Sequence, residues 1–98
     1  MAPEQESLLG TLRALKPEIE ARYKATKIEL FGSFSRGEQK EQSDIDLLVD
    51  FNAEADLFDL VGLSQFLEDR LGRSVDVVPR SALRSELRES ALRGAIPV

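Results

Sequence analysis

Cysteine and histidine are both absent from the 98-residue chain. The absence of cysteine excludes disulfides, thiolate zinc sites and cysteine nucleophiles. The absence of histidine excludes the commonest general base and the commonest transition-metal ligand. Any catalytic chemistry must therefore depend on carboxylates, hydroxyls and a hard cation.

Long apolar runs are missing as well. No stretch approaches the roughly 20 apolar residues that a membrane-spanning helix requires, and residues 1–6 lack the basic-then-apolar order of a signal peptide. We therefore expect a cytoplasmic protein with no membrane partner. A hydrophobic content of 42% and a charged content of 32% are ordinary for a globular chain. We expect residues 1–98 to form a single domain.

Basic side chains are fewer than acidic ones, 13 against 18, which gives a net charge of −5. Stable binding to nucleic acid is not expected, because its affinity comes mainly from Lys and Arg that neutralise phosphates. Arg80, Arg84 and Arg88 recur at helical spacing. This basic stripe is either a solvated helix face or an interface for a partner, and a homo- or hetero-oligomer is compatible with either.

Hydrophobic periodicity predicts two principal helices. The first covers about residues 4–24, and Pro17 should kink it or divide it into two short helices. The second runs from a cap at Asp56 to Leu71, with Gly72 just beyond its end. The residues that this second helix is expected to bury are Leu57, Leu60, Val61, Leu63, Phe66, Leu67 and Leu71.

Three apolar segments have the composition of strands, at residues 27–31, 44–51 and 75–78. The first two should be antiparallel, because their connection is too short for a crossover. The second and third are joined through a helix, the form of a right-handed parallel crossover. The expected fold is α/β, with a small mixed sheet packed by helices. Further on we expect a last helix, marked by Leu83, Leu87 and Ala91, and an edge strand at residues 95–98.

The first strand leads directly into a Gly-Ser turn. Gly32 has no Cβ, so the backbone can turn sharply and let a bulky anion approach closely. Ser33 stands where a short helix would begin, and its hydroxyl either caps that helix or bonds a phosphate. Gly37 is placed to end the helix in a left-handed conformation. The turn is a candidate phosphate site, and the polar residues 38–42 are expected to form a mobile loop over it.

Two aspartates open the second strand. Asp44 and Asp46 lie at i and i+2, so on a strand their carboxylates project from the same face. Carboxylates held this close repel each other unless a cation lies between them. Oxygen ligands of this kind suit Mg²⁺, which usually shares its shell with substrate phosphates. Parallel pairing would bring Asp76 of the third strand beside them, so the sequence predicts a site for a metal-bound nucleotide.

These residues resemble a known family. The run Phe31-Gly32-Ser33, followed after ten residues by Asp44-Ile45-Asp46-Leu47, is similar to the signature of the DNA polymerase β-type nucleotidyltransferases, and specifically of the minimal nucleotidyltransferase domains. Members also carry an Arg-Gly pair shortly after the Gly-Ser, as Arg36-Gly37 does here, and Asp76 matches the family's third carboxylate. The resemblance covers nearly the whole chain.

The resemblance implies an Mg²⁺-dependent nucleotidyltransferase that uses ATP and has the nucleotidyltransferase fold. It implies that Asp44, Asp46 and Asp76 are catalytic and hold two Mg²⁺ ions. Arg36 has two interpretations, since it either holds a phosphate of the nucleotide or pairs with Glu38 on the surface. The residues expected to bind the nucleoside triphosphate are Gly32, Ser33, Arg36 and Ser43.

Larger nucleotidyltransferases add a domain that binds the acceptor, and 98 residues leave no room for one. The resemblance implies that a HEPN-domain toxin supplies the acceptor, with AMP transferred from ATP to a tyrosine of that toxin and this chain acting as a type VII-like antitoxin. Two alternatives stay open. One is transfer to a small-molecule hydroxyl, such as that of an aminoglycoside, and the other is a non-catalytic antitoxin that acts by binding alone.

Overall fold

A computed structural model describes residues 3–40, 43–83 and 93–98 of the chain. It confirms the mixed α/β fold, with a four-stranded sheet in the order β3-β2-β1-β4. Within these ranges, three α-helices and a short 3₁₀ turn at Arg80–Ala82 accompany the sheet. The helices are α1 (Pro3–Tyr23), α2 (Ser33–Arg36) and α3 (Leu57–Leu71), and the strands are β1 (Ala25–Phe31), β2 (Ile45–Phe51), β3 (Val75–Pro79) and β4 (Ile96–Pro97).

The two faces of the sheet have different roles. Strands β1 and β2 are antiparallel, and their pairs Ile28–Val49 and Leu30–Leu47 place four buried side chains on one face. Helices α1 and α3 pack on this face and complete a single core. Because side chains alternate along a strand, Asp46 projects from the opposite face. Charged residues are thereby kept away from the core.

Helix α1 is continuous through Pro17. Of the two outcomes expected at Pro17, a kink or a division into two short helices, the division is wrong. Leu12 before Pro17 and Ile19 after it are both fully buried in the core. Burial of the apolar face on both sides of the proline stabilises one helix, because most helical stability in proteins comes from tertiary packing.

Helix α3 begins and ends as predicted. Asp56 and Asp59 form a reciprocal capping box, and Gly72 ends the helix in a left-handed conformation with φ of 65°. Two of the expected core residues are nevertheless exposed, Leu57 at 70% and Val61 at 47%. Val61 is out of phase with the buried side of the helix, and Leu57 lies in the first turn, where it lines an open depression.

Gly62 interrupts the apolar pattern of α3 because the end of α1 packs against it. A Cβ at Gly62 would lie 3.0 Å from Cε1 of Tyr23, which is closer than side chains normally approach. The Tyr23 ring also lies 5.5 Å from the ring of Phe66, measured between centroids. The glycine therefore permits the contact between α1 and α3.

The C-terminal residues confirm an edge strand. Strand β4 pairs antiparallel with β1, and the backbone N–H of Val98 donates to the carbonyl of Ile28 at 3.0 Å. The predicted last helix includes residues 84–92, which lie outside the described residues. Within the described ranges, no helix is long and apolar enough to cross a bilayer.

The structure corrects the expected basic stripe at Arg80, which is engaged in ion pairs within the fold. Arg80 pairs with Glu29 and, through Nε at 2.9 Å, with the carboxylate of Asp50. Its guanidinium therefore joins β1, β2 and the end of β3 rather than forming part of a solvated face. Arg84 and Arg88 lie outside the described residues.

Candidate active site

The turn after β1 has a backbone conformation that only glycine adopts readily. Gly32 has φ of 75° and ψ of −152°, a region that is essentially restricted to glycine. Helix α2 begins at the next residue, Ser33, and Gly37 ends it with φ of 69° as predicted. The Ser33 hydroxyl does not cap α2, so that alternative is wrong. The hydroxyl of Ser35 instead donates to the Gly32 carbonyl at 2.8 Å.

Gly32 lies directly against the Asp46 carboxylate. A Cβ built on Gly32 would be 3.2 Å from Cγ of Asp46 and closer still to one carboxylate oxygen. The strand register produces this contact, because Phe31 at the end of β1 pairs with Asp46 near the start of β2. The predicted phosphate turn and the predicted metal-binding strand therefore meet at these two residues.

The parallel pairing of β2 with β3 places Asp46 opposite Asp76. In-register neighbours on adjacent strands project from the same face of the sheet and are about 5 Å apart along the hydrogen-bonding direction. Asp44 lies just before β2, and both it and Asp76 are exposed, whereas Asp46 is partly buried. The three aspartates therefore share one open end of the sheet.

The electrostatic environment distinguishes Asp46 from the other two. Partial burial raises the pKa of the Asp46 carboxyl, and the negative charges of Asp76 and Asp44 raise it further. The Arg36 guanidinium opposes these effects. A raised pKa of this origin means that burial and the neighbouring carboxylates disfavour the ionised form of Asp46 by more than Arg36 stabilises it. The end of the sheet thus carries an excess of negative charge.

The described residues contain no three acidic side chains already arranged as a metal-ligand set. Asp44 and Asp76 are exposed, and their carboxylates do not close around Asp46. The residues nevertheless fit a hard cation. All three ligands would be carboxylate oxygens, the type that Mg²⁺ prefers, and like charges at one end of the sheet favour a cation between them.

Arg36 and Ser43, also predicted to bind the nucleotide, contact residues close to them in the chain. Arg36 pairs with Glu38 at 3.2 Å from Nε to Oε1, the contact expected in its surface interpretation. Both side chains are exposed, and such pairs contribute about 1 kcal/mol or less. The charge of Arg36 also lowers the pKa of Asp46. The Ser43 hydroxyl accepts from the Lys40 backbone N–H at 2.7 Å. Part of the expected loop, residues 41–42, lies outside the described residues.

One contributor was not predicted from the sequence. Gln5 of α1 is 5% exposed, and its Nε2 donates to the carbonyls of Phe34 and Ser35 at 2.7 and 2.9 Å. Both carbonyls lie at the end of the short helix α2, and that of Phe34 also accepts from the Gly37 backbone N–H at the longer distance of 3.4 Å. The sequence did carry a signal for Gln5. It lies three positions before Leu8 and four before Leu9, which puts a polar side chain on the apolar face of α1.

A family model for the nucleotidyltransferase domain matches residues 12–98. This chain belongs to the nucleotidyltransferase family. Among individual proteins, it is 40% identical to the protein adenylyltransferase MntA of Thermococcus cleftensis, over 95% of this chain and 94% of the relative. Other proteins similar to this nucleotidyltransferase are designated protein adenylyltransferases of Methanocaldococcus jannaschii, one of which is 39% identical over 76% of each chain.

Solved structures show the same fold. One assigned to the minimal nucleotidyltransferases has a TM-score of 0.84 and 41% identity, covering 96% of this chain and 95% of its own. A chain from a toxin–antitoxin complex with AMP-PNP has a TM-score of 0.68 and 28% identity. The match covers 95% of this chain and 70% of the other. A chain from the complex of a tri-AMPylated HEPN toxin of Shewanella oneidensis with an MNT antitoxin has a TM-score of 0.59 and 25% identity. The match covers 95% of this chain and 66% of the other.

Proposed function

We propose that this nucleotidyltransferase carries AMP from ATP to a tyrosine hydroxyl of a HEPN-domain toxin and thereby acts as its antitoxin. The observation that carries the proposal is the contact of the Gly32 turn with Asp46, beside Asp76, in a chain that is 40% identical to a protein adenylyltransferase. The similarity to an antitoxin bound to an AMPylated HEPN toxin supports the choice of partner.

The residues suit an in-line displacement at the α-phosphorus of ATP. The acceptor oxygen forms a bond to the α-phosphorus while the bond from that phosphorus to the bridging oxygen breaks, and pyrophosphate leaves. Asp76 is exposed at the open end of the sheet, where its carboxylate can receive the proton of the acceptor hydroxyl. The residues that would hold the triphosphate are Gly32, Ser33, Arg36 and Ser43.

Asp44, Asp46 and Asp76 would hold two Mg²⁺ ions, which neutralise charge on the phosphates and polarise the reacting oxygens when bound. Asp46 is the most informative of the three because it touches the turn that would bind phosphate. Its position between Asp76 and Gly32 would bring a bound metal ion close to the phosphates of the nucleotide. That arrangement favours a bound Mg²⁺–nucleotide complex over a metal with a purely structural role.

The exposure of two of the three aspartates favours a macromolecular acceptor. Asp44 and Asp76 are exposed to solvent at the end of the sheet, so a side chain of another protein can approach them directly. Two open depressions in the described part of the chain lie elsewhere, one beside Phe51 and Leu57 and the other between Ser7 and Arg73. Neither provides a small-molecule acceptor site next to Asp46.

The test is a transfer assay with the HEPN-domain partner, Mg²⁺ and ATP labelled in its α-phosphate. We expect label on the partner with the wild type, and a loss of at least about 100-fold with Asp44→Asn or Asp46→Asn, because removing charge-stabilising groups costs on this scale. Asp69→Asn, at an exposed position on α3, is the matched control and should transfer normally.

The same assay separates the alternatives. Both site variants should still bind the partner, since they preserve side-chain size. If label appears only on an added aminoglycoside, the acceptor assignment is wrong. If both site variants still neutralise the toxin and no label is transferred, the protein acts by binding alone.

A further inference from the structure

The first turns of α3 expose three large apolar side chains. Leu57, Phe58 and Val61 are 70%, 86% and 47% exposed. At about 100° of rotation per residue they share roughly 100° of the helix surface. A single exposed apolar residue is ordinary, but a contiguous group of large ones marks an interaction surface. We refer to Leu57, Phe58 and Val61 as the α3 patch.

An open depression of about 420 Å³ adjoins the α3 patch. Its apolar lining comes from the end of β2, from α3 and from the end of β3, and includes Phe51, Leu57, Leu60 and Pro79. Leu57 belongs to both the patch and the depression, so the two form one continuous surface. A protruding side chain of a partner can enter the depression while its neighbours cover the patch.

The rim of this surface is acidic. Glu54 and Asp56 precede α3 and are exposed, and among the described residues neither carboxylate has an ion-pair partner. The Asp56 side chain accepts only the backbone N–H of Asp59 in the capping box. Asp50 and Asp59, by contrast, are paired with cations of this chain. The free negative charge therefore lies at the edge of the α3 patch.

We propose that the α3 patch and its depression bind an amphipathic segment of another protein, in which apolar side chains are flanked by lysine or arginine. Apolar anchors with a charge-complementary rim are a recurring form of peptide recognition. A second copy is a poorer occupant, because a two-fold contact would bring Glu54 and Asp56 near their symmetry mates in a chain of net charge −5.

The proposed surface is separate from the catalytic carboxylates. The surface lies at the carboxyl end of β2, where Asp50 lines the depression. Asp46 is four residues earlier, which is about 13 Å along the strand. Helix α3 also covers the sheet face opposite the one from which Asp46 projects. A partner on the α3 patch leaves the site open, so this binding does not require AMP transfer.

The probe is a helical peptide with leucine and phenylalanine on one face and lysines on its flanks, compared with a twin whose lysines are replaced by glutamates. Fluorescence anisotropy measures binding of each peptide to the full chain. We expect the lysine peptide to bind at least about tenfold more tightly than its twin. Phe58→Ser should weaken binding at least about tenfold, whereas Ala14→Ser, at an exposed position on α1, should not.

Glu54→Lys tests the charge of the rim. It should reduce the difference in affinity between the two peptides without changing the apolar surface. Circular dichroism confirms that each variant is folded. Equal binding of both peptides, or binding that survives Phe58→Ser, would overturn the proposal. It would also be overturned if sedimentation showed a wild-type dimer that Phe58→Ser dissociates, because the occupant would then be a second copy.

Discussion

Replacing Gly32 by alanine tests the contact on which the site depends. Alanine at φ of 75° and ψ of −152° would be strained by about 1–3 kcal/mol, and its Cβ would overlap the Asp46 carboxylate. Either the turn or Asp46 must shift. For a domain of this size, each kcal/mol lowers Tm by about 4–8 °C. A loss of about 2 kcal/mol therefore lowers Tm by about 8–16 °C.

Two other glycines calibrate this measurement. Gly37 has φ of 69° and no atom within 4 Å of the position that an added methyl group would occupy, so Gly37→Ala should cost only the left-handed penalty of about 1 kcal/mol. Gly10 lies in α1 facing open space, so Gly10→Ala should stabilise the protein by up to about 1 kcal/mol. Thermal unfolding ranks the three variants by Tm. AMP transfer should be lost only in Gly32→Ala. Equal effects at Gly32 and Gly37 would refute the Asp46 contact.

Three further changes test the charges and hydrogen bonds around the sheet. Because the folded-state pKa of Asp46 is raised, its ionisation costs stability as pH rises through that pKa. Without Mg²⁺, Asp46→Asn should therefore be more stable than wild type at pH about 7 and no more stable below the unfolded pKa of about 3.9; urea unfolding showing a less stable variant at neutral pH would contradict this. Gln5→Leu should lower the free energy of unfolding by about 1–3 kcal/mol, because it removes the two hydrogen bonds to the carbonyls of Phe34 and Ser35, each contributing about 0.5–1.5 kcal/mol. It should also weaken Mg²⁺–ATP binding in a calorimetric titration; unchanged binding would remove Gln5 from the site. Arg80→Met should lower the free energy of unfolding by about 1–3 kcal/mol, because it removes a cation from Glu29. In a double-mutant cycle, Arg80→Met with Glu29→Gln should lower it by less than the sum of the two single changes. Additive changes would mean that the pair is not coupled.

The elements that build the site were predictable because their signals are local. The short connection before Asp44 requires antiparallel strands, and the helix between β2 and β3 requires a parallel crossover. Together they place Asp76 beside Asp46, as the observed register does. The left-handed ends at Gly37 and Gly72 were likewise predictable from glycine's conformational freedom.

The errors arose where tertiary packing decides the outcome. Pro17 has an unfavourable local preference, but burial of the helix face on both sides keeps α1 whole. Leu57 follows the apolar spacing of α3, yet none of the described residues covers the first turn. Gln5 reads as an ordinary polar residue until α2 is placed over it. Each case depends on what lies opposite a side chain, which spacing along the chain does not specify.

The distribution of burial among the three aspartates limits their mutual repulsion. Repulsion between carboxylates is weak in water and strong when they are desolvated. Asp44 and Asp76 remain exposed, whereas Asp46 is partly buried and this burial raises the pKa of its carboxyl. Asp46 cannot move into solvent freely, because the Gly32 backbone packs against it. One carboxylate is thus held in place while two exposed ones can turn inward, so a cation that joins the three would relieve the cost and order the site in the same step.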